Sequence, residues 1–119
     1  MKKILVVDDE PEILEMTQKR LEKSGYRVLT AADGKEGIRK AVEEKPDLIL
    51  SDIIMPGIDG FTMLRELRNN ASTSSIPVIM LSAKGEADSL LKGQNFGAVD
   101  YFIKPCDWDE LLKYIKKYA

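Results

Sequence analysis

The sequence has no histidine and a single cysteine, Cys106, among its 119 residues. Without histidine the chain cannot build a Ser-His-Asp or Cys-His nucleophile system, and carboxylates become the expected ligands if a metal is bound. One cysteine excludes an internal disulfide and is typical of a reducing compartment, so we expect a cytoplasmic location.

Long apolar runs and an excess of one charge are also missing. No apolar run approaches the ~20 residues of a membrane-spanning helix. The stretch Ile4–Val7 ends at two aspartates, well short of the roughly 7–15 residues of a signal-peptide core. The formal net charge is −2, so neither nucleic acid nor a membrane surface is the expected partner. With 44% hydrophobic and 32% charged residues, the composition predicts one globular domain over residues 1–119.

Short apolar runs alternate with amphipathic segments along the whole chain. The predicted strands are Lys3–Val7, Arg27–Thr30, Leu48–Leu50, Ile76–Leu81 and Val99–Ile103. Helical stripes follow each strand: Ile13, Leu14, Thr17 and Leu21; Ile38, Ala41 and Val42; Phe61, Leu64 and Leu67; Ala87, Leu90, Leu91 and Phe96; Trp108, Leu111, Leu112 and Ile115. This alternation predicts an α/β fold in which helices cover both faces of a five-stranded parallel sheet.

Turn and cap residues separate these elements. Pro11 suits the first turn of the first helix, with Asp9 as its predicted N-cap. Asp33-Gly34 opens the second helix, and the polar stretch Asn69–Ser75 is predicted to be a surface connection. The last helix is predicted to begin at about Asp107.

Polar residues follow four of the five predicted strands. They are Asp8-Asp9, Asp52, Ser82 and Lys104. Taken singly, Ser82 is best interpreted as a helix cap and Lys104 as an exposed lysine. In an open α/β sheet, however, the carboxyl ends of the strands share one edge, and ligands bind there. The coincidence of all five side chains at that edge therefore predicts a functional site.

The chemistry of these side chains indicates what the site does. Asp8, Asp9 and Asp52 would repel one another unless a cation lies among them, and oxygen ligands suit Mg²⁺ or Mn²⁺. A carboxylate beside such an ion is a competent nucleophile toward a phosphoryl group. A lysine and a hydroxyl opposite it can hold phosphoryl oxygens. The set predicts an aspartate phosphorylation site.

The motifs resemble the receiver domain of bacterial two-component response regulators over essentially the whole chain. The matching segments are Val6–Glu10, Pro46–Gly60, Pro77–Ala83, Gly97-Ala98, Tyr101 and Lys104-Pro105. Ser82 and Lys104 follow Asp52 by 30 and 52 residues, as the family's hydroxyl and lysine do. The resemblance implies a flavodoxin-like, doubly wound (βα)5 fold with strand order 2-1-3-4-5.

The same resemblance implies the roles of the acidic residues. Asp52 is expected to be the phosphoacceptor. Asp9, Asp52 and the backbone carbonyl of Ile54 are expected to bind Mg²⁺, with Asp8 acting through a metal-bound water. Ile54 is apolar where other members often carry a polar side chain.

The resemblance also implies a conformational switch. Ser82, in place of the commoner threonine, and Lys104 are expected to hold the phosphoryl oxygens, while Tyr101 turns inward. The surface of the fourth helix, last strand and last helix would then change shape for a protein target. The expected phosphodonor is a sensor histidine kinase or a histidine phosphotransfer protein. The chain is expected to be a monomer or a weak phosphorylation-dependent dimer, and a signalling protein rather than an enzyme.

Three alternatives stay open at this point. The chain could be a receiver cut from a larger regulator or hybrid kinase. A Mg²⁺-dependent aspartyl-phosphate hydrolase needs a second aspartate two residues after its nucleophile, where this chain has Ile54. A flavodoxin needs a hydroxyl-rich phosphate loop after the first strand, where this chain has Asp8-Asp9-Glu10-Pro11.

Overall fold

Strands and helices alternate through the described part of the chain, as the sequence pattern predicts. The computed structural model describes residues 1–53, 55, 57–83, 100–104 and 107–119, with the backbone alone at 82–83 and 100–104. Its elements are β1 (Lys3–Val7), α1 (Pro11–Lys23), β2 (Arg27–Ala31), α2 (Gly34–Glu44), β3 (Leu48–Asp52), α3 (Gly60–Arg68), β4 (Val78–Ala83), β5 (Asp100–Lys104) and a C-terminal helix (Trp108–Tyr118). The predicted fourth helix, from Ala87 to Phe96, lies outside the described residues.

The five strands form one parallel sheet in the order β2-β1-β3-β4-β5. This confirms the expected flavodoxin-like fold and its strand order. The chain leaves β1 toward β2 at one edge and returns to β3 on the other side of β1. Strand order therefore reverses between β1 and β3, where ligands bind in open α/β sheets.

Both faces of the central strands are buried, because helices cover the sheet on each side. Leu5, Val7 and Ile49 belong to a core cluster with residues of α2 and α3. Their chain neighbours Ile4 and Leu48 belong to the opposite cluster, with residues of α1 and the C-terminal helix. This alternation explains why β1 and β3 are continuous apolar runs.

Four of the five strands end one or two residues beyond their predicted apolar runs. β4 is Val78–Ala83, whereas the apolar run predicted Ile76–Leu81, so Ser82 lies within the strand and not beyond it. Asp52 and Lys104 are likewise the last residues of β3 and β5. The parallel ladder continues through the pair Ala83↔Lys104. Its hydrogen bonds join main-chain groups, so pairing can extend past the last apolar side chain.

Three of the four described helices begin with an aspartate cap. The side chains of Asp33, Asp59 and Asp107 accept hydrogen bonds from backbone N–H groups in the first turns of α2, α3 and the C-terminal helix. The expectation that Asp9 caps α1 is wrong: the N-cap is Glu10, and no side chain caps this helix. Pro11 occupies the first turn, where its lack of an N–H costs nothing, and the residue before it becomes the cap.

The connection between α3 and β4 is only partly a surface segment. Most of Asn69–Ser75 is exposed, as predicted, but Thr73 is fully buried. The Thr73 hydroxyl donates to the Leu67 carbonyl at 2.7 Å, which satisfies one of the last carbonyls of α3. A polar residue therefore anchors this connection. No described helix has the length and apolar character needed to cross a membrane.

Candidate functional site

Three consecutive acidic residues gather where β1 ends. One carboxylate oxygen from each of Asp8, Asp9 and Glu10 lies within 4.8 Å of the other two. Asp8 is buried, with 3% of its surface exposed, and Glu10 is exposed. Like charges this close repel one another, so the arrangement favours a bound cation.

Backbone hydrogen bonds fix Asp8 at this position. Its N–H donates to the Ala31 carbonyl at the end of β2, at 3.1 Å, and continues the β1–β2 ladder. One of its carboxylate oxygens accepts the Glu10 N–H at 2.9 Å. Asp8 is thus tied both to the neighbouring strand and to the residue that begins α1.

Asp52 ends β3, the strand next to β1. Only 9% of its surface is exposed, and its Oδ1 accepts the Ile53 N–H at 2.8 Å. The β1–β3 register pairs Val7 with Ser51, so Asp8 and Asp52 each lie one residue beyond that pair. The structure therefore brings the predicted phosphoacceptor to the edge that holds the acidic cluster, although Asp52 lies outside the 4.8 Å group.

Gly60, the first residue of α3, lies directly against the end of β3. Its N–H donates to the Ile53 carbonyl at 2.7 Å. A Cβ at this position would lie 2.6 Å from Met80 Cε and would overlap the Asp52 carbonyl. Only glycine permits this close approach, so α3 supports the backbone that carries Asp52.

The other predicted site residues are placed by the backbone alone. Ser82 follows Leu81, which pairs with Asp52 across the β3–β4 ladder. Lys104 pairs with Ala83, so the ends of β4 and β5 meet at the same edge as Asp52. Tyr101 lies in β5 opposite Met80. The side-chain roles of these three residues stay predictions, and Ile54 lies outside the described residues.

Glu10 is the site residue that the sequence interpretation did not include. Three successive acidic residues across a strand-to-helix turn were the available clue, because such a turn can fold side chains from adjacent positions together.

A second polar network lies beside the cluster, at the start of α2. The Ala32 N–H donates to the carboxylate of Glu36 at 3.2 Å, and Lys40 pairs with that carboxylate at 3.1 Å. The bond from Ala32, with a further contribution from Lys40, lowers the pKa of Glu36 below its ordinary value. Lys40 also donates to the Thr30 carbonyl. This network joins α2 to the end of β2.

A parallel sheet with an acidic cluster at its point of strand reversal defines an α/β protein with a candidate cation-binding site at the carboxyl edge. The chain belongs to the response regulator receiver domain family, whose profile matches residues 4–116. It is therefore a receiver domain of the kind found in two-component systems.

Known relatives agree with this assignment. The chain is 44% identical over 115 residues to protein PilH of Pseudomonas aeruginosa, covering 97% of this chain and 95% of PilH. It is 41% identical over 116 residues to RpaA of Synechocystis sp., a DNA-binding transcriptional regulator. That match covers 98% of this chain but only 48% of RpaA, so the chain spans about half the length of this relative.

A solved structure shares both fold and sequence. The response regulator TrrA of Thermotoga maritima superposes with a TM-score of 0.89 at 37% identity, with all of both chains covered. That structure is a complex of TrrA with Mg²⁺ and BeF.

Proposed function

We propose that Asp52 is the phosphoacceptor of this receiver, and that it takes its phosphoryl group from a histidine of a partner kinase or phosphotransfer protein. The observation that carries the proposal is the placement of Asp52 at the end of β3, one strand from the buried Asp8. A carboxylate oxygen of Asp52 would bond to phosphorus as the phosphorus–nitrogen bond to the donor histidine breaks. The histidine nitrogen leaves with that bond's electron pair.

The donor set at this edge suits Mg²⁺ or Mn²⁺. Carboxylate oxygens within 4.8 Å of one another are hard ligands that would otherwise repel. Asp9, Asp52 and the Ile54 carbonyl would hold the ion, with Asp8 acting through a bound water. When bound, it supplies positive charge that offsets the charge of the incoming phosphoryl group. The Mg²⁺ complex of TrrA supports this assignment.

The remaining predicted residues complete the proposed switch. Ser82 and Lys104 would hold phosphoryl oxygens, and the ends of β4 and β5 lie at the required edge. Tyr101 would then turn inward, and the surface around β5 and the C-terminal helix would present a changed shape to a protein target. The domain would assist its own phosphorylation and dephosphorylation in the cytoplasm, without turning over a separate substrate.

The proposal is tested by phosphorylation with acetyl phosphate, followed by intact-mass spectrometry with and without Mg²⁺. Wild type should gain one phosphoryl group only with the metal, and Asp52→Asn should gain none. Asp47→Asn is the matched control and should be phosphorylated like wild type. Asp47 precedes the same strand, and its carboxylate accepts the Lys3 N–H at the opposite edge of the sheet. If Asp52→Asn is phosphorylated with the same metal dependence as wild type, the proposal is wrong.

A further inference from the structure

The outer side of β2 is held by side chains instead of by another strand. β2 lies at one edge of the described sheet. The Ala31 carbonyl points inward and accepts the Asp8 N–H at 3.1 Å. Successive peptide groups of a strand point in alternate directions, so the Thr30 carbonyl and the Ala32 N–H face away from β1. The Thr30 carbonyl is part-buried and needs a partner, whereas the Ala32 N–H is exposed.

Glu36 and Lys40 supply those partners from adjacent turns of α2. Lys40 Nζ donates to the Thr30 carbonyl, and Glu36 Oε2 accepts the Ala32 N–H at 3.2 Å. The loop is closed by the Lys40 Nζ to Glu36 Oε1 contact of 3.1 Å. The two side chains are partly shielded, with 27% of Lys40 and 34% of Glu36 exposed. Together they fix the backbone on both sides of Ala31.

We propose that Glu36 and Lys40 are positioning residues of the acidic site. They hold the Ala31 carbonyl, which in turn holds the backbone of Asp8. Because the Asp8 carboxylate accepts the Glu10 N–H, a shift of Asp8 would also move the start of α1. The inference rests on the proposed function, since it takes the acidic cluster to be a Mg²⁺ site.

A substitution of Lys40 distinguishes a positioning role from a direct effect of its charge on the metal ion. Removing a positive charge near a cation site would tighten Mg²⁺ binding if Lys40 acted only through its electric field. If Lys40 positions the backbone of Asp8, its removal should instead weaken Mg²⁺ binding. We expect Lys40→Met to weaken Mg²⁺ binding by about 3- to 10-fold, less than the roughly 10- to 100-fold typical when a direct partner of a ligand is lost. Lys40→Arg keeps a hydrogen-bond donor at this position and should bind Mg²⁺ with most of the wild-type affinity.

The same helix offers matched controls. Arg39 and Glu43 form another pair four residues apart, at 3.2 Å, with 57% and 55% of their side chains exposed. Arg39→Met removes the same charge as Lys40→Met, but from a pair that the structure does not connect to β2. It should leave Mg²⁺ affinity within about two-fold of wild type, as expected of an exposed charge.

The experiment has two readouts. Titration calorimetry with MgCl₂ measures affinity, and amide hydrogen exchange in metal-free protein measures the Asp8 N–H bond to Ala31 directly. Lys40→Met should speed exchange at Asp8, whereas Arg39→Met should not. If Lys40→Met does not fold, Lys40→Ala, which also removes the ammonium donor and suits a helix, is measured in its place with the same criteria.

The outcomes distinguish the two proposals. If wild type does not bind Mg²⁺, the proposed metal site is wrong, and exchange at Asp8 still decides whether the network positions its backbone. If wild type binds Mg²⁺ and Lys40→Met binds it equally or more tightly, the inference is overturned. Weaker binding together with faster exchange at Asp8 supports it.

Discussion

The starts of α1 and α2 lie at the same edge of the sheet but use their acidic side chains differently. At α2, Asp33 accepts the Glu36 N–H at 2.8 Å, and Glu36 accepts the Ala32 N–H at 3.2 Å. At α1, the cap is Glu10, whose side chain makes no capping bond, and the carboxylates of Asp8 and Asp9 gather beside it. At the start of α2, nearby side chains accept the backbone N–H groups. At the start of α1, the side chains instead bring together negative charge that a cation could neutralise.

From this comparison we expect lower local stability at the start of α1 than at the start of α2. A side-chain cap contributes about 1 kcal/mol to stability, and α1 lacks it. The cluster adds repulsion, because three carboxylates lie within 4.8 Å. Neither feature would be retained for stability alone, and both are consistent with a site that binds a cation.

The largest expected effect is stabilisation by Mg²⁺ at the α1 start. A ligand that binds only the folded chain raises the free energy of unfolding by about 2.7 kcal/mol at 100 times its dissociation constant. Wild type and Asp33→Ala should both show this gain, because Asp33 belongs to the α2 start. Asp9→Ala should lose most of it at the same Mg²⁺ concentration. Urea unfolding with and without MgCl₂ measures the difference, and an undiminished gain in Asp9→Ala would remove Asp9 from the ligands.

Without metal, the same two variants should move stability in opposite directions. Asp33→Ala loses a capping bond and should lower the free energy of unfolding by about 1 kcal/mol. Asp9→Ala loses no capping bond and relieves repulsion, so it should raise that free energy by up to about 1 kcal/mol. Urea unfolding in EDTA checks both values. A loss of stability in Asp9→Ala equal to that in Asp33→Ala would contradict the contrast between the two helix starts.

The smallest expected effect is a change in the pH dependence of stability. The pKa of Glu36 is lowered by its bond from Ala32 and its contact with Lys40. Its carboxylate therefore stabilises the fold above the ordinary pKa of 4.5, and this contribution is lost as pH falls from 4.5 through the lower pKa of the folded state. Glu36→Gln should flatten the fall in unfolding free energy across that acidic window. Urea unfolding between pH 6 and 3 measures it, and equal slopes in the two proteins would contradict the expectation.

The sequence predicts the fold well because its main signals are local. Apolar runs identify the central strands, and Pro11, Asp33 and Asp107 mark helix starts. Strand ends were less predictable: Ser82 lies inside β4 because the parallel ladder extends beyond the apolar residues. The Asp9 cap was wrong because a proline in the first turn makes the residue before it the cap.

The acidic site was predictable in part. The residue types and strand ends indicated Asp8, Asp9 and Asp52, while Glu10 joined the cluster through the path of the turn. The pair Glu36 and Lys40 has a recognisable helical spacing, but its bonds to β2 depend on how α2 packs on the sheet. Contacts of that kind are tertiary, and the residue pattern of a single helix does not contain them.

The pairing of β1 with β3 also determines when the two parts of the acidic edge can come together during synthesis. Asp8 and Asp52 are 44 positions apart in the sequence, and their strands become neighbours only through the β1–β3 ladder. At translation rates of about 5–20 residues per second, roughly 2–9 s separate the synthesis of these two residues. Asp8 and Asp52 can therefore come together only after β3 has been synthesised and has paired with β1.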